Sequence, residues 1–127
     1  MMVQGPQALA VDAAQFDRLL AMVGPHVAAD LIVQLRADIL TAQDHLLAAV
    51  PAMDWALIRA QSHVVMGLAG TIGAWDLHRL ARQLNDLVQN AAPDRQLAMP
   101  LISATVAALN TAFAYLSQHT TDGHGPR

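Results

Sequence analysis

The fold of this chain is constrained first by its punctuation. Long segments with apolar residues three and four apart are cut at Gly24-Pro25, Pro51, Gly73 and Pro93-Asp94. Apolar side chains at that spacing line one face of an α-helix. Helices joined by such short connections pack as antiparallel neighbours. Hydrophobic residues make up 54% of the chain and aromatics only 4%, and the abundance of Ala and Leu favours helix over strand. The expected fold is all-α: an antiparallel up-down four-helix bundle with an additional short N-terminal helix.

At 127 residues the chain is one domain with a sizeable core. Residues 1–11 are expected to form a flexible N-terminal tail, 12–119 a single bundle domain and 120–127 a flexible polar tail. Asp12 is suited to cap a short lid helix that reaches about Val23 on a stripe of Phe16, Leu19, Leu20 and Val23. Pro25 fits the start of a helix from about His26 to Ala49, with Val27, Leu31, Leu35, Ile39, Leu46 and Val50 inward. Asp54 caps a third helix ending near Ile72, and Gly73 suits the left-handed position that follows. The fourth runs from about Ala74 to Ala91 on Leu77, Leu80, Ala81, Leu84, Leu87 and Val88. The last reaches about Gln118, and Pro100 should kink it or mark its true start.

Composition removes several kinds of chemistry. Without cysteine there are no disulfides, thiolate metal sites or cysteine nucleophiles. All seven basic residues are arginine and all ten acidic ones aspartate. Missing glutamate excludes the glutamate-bridged di-metal bundles. Missing lysine excludes Schiff-base chemistry and the phosphate-binding P-loop. A formal net charge of −3 with no basic cluster argues against nucleic acid as a partner. No two histidines lie three or four residues apart, so no helical metal site is expected. His26, His45, His78, His119 and His124 read as incidental. The longest nearly apolar run, Val64 to Trp75, is too short to cross a bilayer, and no signal peptide is expected, because no basic region followed by an apolar stretch is apparent. The expectation is a cytoplasmic protein with no membrane partner.

His63 is the exception among the histidines. Wound at about 100° per residue, the third helix puts Leu57, Ile58, Gln61, Val64, Val65, Leu68, Ala69 and Ile72 on one side. His63 falls near the middle of the other, among Ala56, Arg59, Met66, Gly67 and Gly70. A glycine inside a helix costs about 1 kcal/mol against alanine. Two of them on one face suit a partner that must come close to the histidine.

The stretch His63-Val64-Val65-Met66-Gly67-Leu68-Ala69-Gly70-Thr71-Ile72-Gly73-Ala74 resembles the signature of the histidine-containing phosphotransfer (HPt) domain, roughly His-Ser-Leu-Lys-Gly-Ser-Ala-x-x-x-Gly-Ala. Asp54-Trp55 resembles the usual approach to the histidine helix, and Leu77, Leu80 and Leu84 match leucines of the helix after it. The resemblance implies a phosphocarrier rather than a self-contained enzyme. His63 would take a phosphoryl group from one receiver-domain aspartate and pass it to another. The partners implied are response-regulator receivers or a hybrid histidine kinase. No cofactor is implied in this chain, and Mg²⁺ belongs to the receiver. Met66 stands where the family has lysine, Leu68 where it has a small polar residue, and Asn85 where many members have Glu and some Gln. Arg59 and Arg82 are the candidate replacements for the missing cation. Arg59, Met66, Gly67, Gly70, Arg82, Asn85 and Gln89 form the expected docking and phosphate-adjacent set around His63, on a monomer. The alternative is a pseudo-HPt module that binds a receiver or kinase without carrying phosphate, because the motif lysine is lost. A plain helical oligomerisation module is a third reading, marked by a buried His63 and a large apolar patch elsewhere.

Overall fold

A computed structural model of the chain describes residues 11–90 and 93–123. Four helices follow one another: α1 (Ala13–Ala49), α2 (Trp55–Ile72), α3 (Trp75–Val88) and α4 (Arg95–Gly123). Each packs on the next, and α4 closes the ring on α1, while the diagonal pairs α1–α3 and α2–α4 do not meet. This is the up-down four-helix bundle expected from the spacing, with the core inside the ring. Ile39, Leu46, Ile58, Ile72, Leu77, Leu84, Ile102, Leu109 and Leu116 are its largest fully buried aliphatic side chains. Each stabilises the fold by about 1.5–3 kcal/mol relative to exposure.

The expected break at Gly24-Pro25 is present. Gly24 has φ 84° and ψ 164° inside α1. Pro25 disfavours helical geometry in the residue before it, and glycine accepts the positive φ. The segment before the break, residues 13–23, is fastened rather than lid-like. Phe16 is fully buried, with its ring 6.0 Å from that of Tyr115 and 5.2 Å from that of His119 on α4. Val11, expected in a loose tail, pairs with Ala74 in an antiparallel bridge. Asp12 N–H donates to Gly73 O at 2.8 Å. The rest of the expected N-terminal tail, 1–10, and the end of the C-terminal one, 124–127, lie outside the described residues.

Several registers differ from the sequence reading. In α1 the inward residues are Ile32, Leu35, Ile39, Ala42, Gln43, Leu46 and Ala49. Val27 is 52% exposed, and Leu31 and Val50 are only partly buried. The helix restarts at Pro25 with its own phase, and the seam that α2 and α4 share runs along 32, 35, 39, 42 and 46. Gln43 can be buried because its Nε2 donates to Val106 O (3.1 Å) and Asn110 Oδ1 (2.6 Å) across the α1–α4 seam. Helix α3 ends at Val88 rather than Ala91, with Gln89 N–H donating to Asn85 O and Asp86 O. Pro100 lies in the second turn of α4, which runs through it and continues past Gln118 to Gly123. Early placement leaves only one carbonyl, that of Gln96, without its helical donor. Both α1 and α4 are long and apolar enough to cross a bilayer by length and composition alone, with mean hydropathies of 1.3 and 1.6 over the best window. The sequence reading had taken Val64 to Trp75 as the longest apolar run.

Candidate functional site

The His63 face is built by the two caps of α2. Asp54 accepts a hydrogen bond from Leu57 N–H at 3.1 Å and so starts the helix. Gly73 ends it in the left-handed region at φ 83°. Gly73 N–H and Ala74 N–H both donate to Ala69 O at 2.9 Å, so one late carbonyl of the helix is closed by the two residues that follow it. Gly73 is doubly required, because a Cβ there would also meet Asp12 O at 3.1 Å. The turn sends the chain straight into α3, and the α2–α3 contact is the most extensive in the bundle.

Between those caps the inward side of α2 is Ile58, Ser62, Val65, Leu68, Ala69 and Ile72. Leu68, which replaces a small polar residue of the motif, joins the core as expected. Ser62 and Val64 run against their hydropathy. Ser62 is buried because its hydroxyl donates to Ile58 O at 2.8 Å, which satisfies it within its own helix. Val64, expected in the core, is 44% exposed.

His63 is exposed, as expected. Its ring makes no hydrogen bond or ion pair among the described residues. A Cβ added at Gly67 or Gly70 would meet nothing within 4 Å. The glycines therefore leave open space beside His63 and do not serve close packing of another helix. Their carbonyl oxygens are supported from the side: Thr71 Oγ1 donates to Gly67 O at 3.1 Å and Gln15 Nε2 to Gly70 O at 3.0 Å. Gln15 and Thr71 carry no motif signal and went unnoticed in the sequence.

The remaining candidates divide into exposed and buried. Arg59, Arg82 and Gln89 are exposed, and neither arginine has a hydrogen-bonding or ionic partner among the described residues. Met66 is half-buried against the core, so the exposed apolar neighbour of His63 is Val64 rather than Met66. Asn85, expected in the docking set, is only 9% exposed, and its Oδ1 is buried without a donor among the described residues. No group of three or more metal-ligating side chains occurs among the described residues.

An exposed histidine on a helix cleared by glycine, in a ring of four helices, has a matching sequence family. The model of the Hpt domain matches residues 26–119. This chain belongs to the Hpt domain family. No curated protein and no solved structure gives a significant match. Hpt domains serve histidine phosphotransfer in two-component signalling, and they generally interact with receiver domains and histidine kinases. The Hpt match begins at His26, just past the Gly24 break, and residues 13–23 lie outside the matched span.

Proposed function

We infer that the protein is a working phosphocarrier and that His63 is its phospho-acceptor. The observation that carries this reading is the open space around an exposed His63, with nothing within 4 Å of a Cβ at Gly67 or Gly70. A receiver's phospho-aspartate needs that room to approach in line. The unprotonated ring nitrogen of His63 attacks phosphorus and an N–P bond forms. The bond from phosphorus to the aspartate oxygen breaks, the aspartate leaves as a carboxylate, and the imidazolium proton passes to solvent. Transfer to a second receiver reverses these steps. Mg²⁺ sits with the receiver's acid pocket and this chain needs no cofactor.

The docking face consists of Val64, Gly67 and Gly70 beside His63, with Met66 contributing its exposed part. Arg59 and Arg82, both unpaired among the described residues, supply the positive charge that the motif lysine would give. Gln89 is the exposed candidate on α3. The protein works in the cytoplasm, where response regulators and hybrid kinases present their receivers.

Incubation with a phosphorylated receiver tests the reading. The protein should become labelled, the label should be acid-labile, and His63→Gln should abolish it. Acid-stable label, or label that survives the substitution, contradicts it. The half-buried Met66 in place of the lysine favours a second reading, a receiver-binding module that carries no phosphate. Receiver binding equally tight with His63→Ala, and no label on the unaltered chain, would establish that one instead.

A further inference from the structure

The α1–α4 side of the bundle lies opposite the α2–α3 side that carries His63, because the four helices form a ring. On α1, Val33, Leu40 and Leu47 are 59%, 46% and 53% exposed. They stand seven residues apart and so form one line along the helix, about 21 Å from end to end. The line runs into a shallow apolar groove between α1 and α4, walled by Leu47, Val50, Met99, Ile102 and Val106. An exposed apolar line of this kind offers a surface along which a second helix can lay its own apolar line.

Two charges beside this line select its occupant. Arg36 and Asp44 stand four residues before and four after Leu40. Arg36 holds its guanidinium 4.9 Å from the centroid of the Phe113 ring, with Nε buried and lacking an acceptor among the described residues. Asp44 is exposed and has no hydrogen bond or ion pair among the described residues. We propose that a second copy of this chain docks here, α1 against α1 and antiparallel, with the two Leu40 side chains beside the two-fold axis. This alignment sets Val33 level with the partner's Leu47 and Arg36 level with the partner's Asp44, each twice. A parallel alignment would set Asp44 beside the partner's Asp44 and Arg36 beside the partner's Arg36, and like charges in contact oppose it. The dimer leaves both His63 faces open. It replaces the monomer expected from sequence and does not depend on the phosphotransfer reading.

Light scattering on the full chain tests the proposal. The expected mass is twice the 13.5 kDa of one chain. Leu40→Asp should halve it while helical circular dichroism is kept. Arg36→Asp and Asp44→Arg should each be monomeric alone, and an equimolar mixture of the two should dimerise, because each then meets the opposite charge on the other. Should Arg36→Asp unfold for want of its Phe113 contact, Leu40→Asp and Asp44→Arg carry the test between them. A mass of 13.5 kDa for the unaltered chain, a dimer that survives Leu40→Asp or Asp44→Arg, or a monomer that cosediments with phosphatidylcholine vesicles overturns it.

Discussion

Asn85 holds an amide in the protein interior with its oxygen unpaired among the described residues, a state that costs about 1–3 kcal/mol relative to an apolar group of the same shape. Asn85→Leu should therefore unfold at higher urea concentration, by about 1 kcal/mol or more. A loss of stability would show that the oxygen has a partner after all. The glycines beside His63 separate folding from function in the same way. Gly67→Ala meets open space and should stabilise the helix by about 0.5–1 kcal/mol. Gly67→Phe should keep the fold and cut transfer from a receiver by about a hundredfold, the scale of a misplacement by an ångström. Unchanged transfer in Gly67→Phe would remove the glycine from the docking face. His63 and its two glycines were legible from spacing alone, since glycine has few other reasons to sit twice on one helix face. Val64 and Ser62 were not. Hydropathy sends valine inward and serine outward, and it does not register that a serine hydroxyl can bond its own helix at Ile58 O. Asn85 was misread for the same reason, because a polar residue beside a leucine stripe reads as solvated.

At the scale of the element, the α2–α3 turn carries the arrangement. Gly73→Ala forces a side chain into φ 83° and against Asp12 O at 3.1 Å. Chemical denaturation should show a loss of about 1–2 kcal/mol from the backbone conformation alone. Gly73→Asn should recover only part of it, because asparagine accepts the left-handed region and still carries the Cβ. Equal stability of Gly73→Ala and the unaltered chain would mean that the Asp12 contact gives way freely. The caps of α2 were readable in advance because Asp54 and Gly73 are local signals, each acting within one turn. The end of α4 was not, since a helix docked on Phe16 through Tyr115 and His119 is extended by contacts made about a hundred positions earlier in the chain. The inward phase of α1 was likewise set by its neighbours and not by its own hydropathy, which is high nearly all round.

At the scale of the whole molecule, Tyr115 ties the arm before Gly24 to the bundle and makes folding sensitive to alkali. Burial raises its pKa above the ordinary 10.0, and the negative charge of Asp17 adds to the rise. A raised pKa in the folded state contributes stability below the unfolded value and loses it as pH climbs through the folded one. Stability should therefore fall above pH 10.0. The chain has one tyrosine, no lysine and no cysteine, so no other side chain releases a proton between about pH 10 and 12. Tyr115→Phe should flatten the decline, as read by urea unfolding on either side of that range. A decline that persists in Tyr115→Phe would place its cause elsewhere. The arm and the ring of helices together hold α2 with His63 outward, and phosphate chemistry at that residue is the centre of the account. Mapping the modified residue by mass spectrometry, after incubation with a phosphorylated receiver and under conditions that preserve N–P bonds, tests it most directly. Phosphohistidine is expected at His63 alone among the six histidines. Phosphate on any other residue, or none on a chain that still binds the receiver, would contradict it.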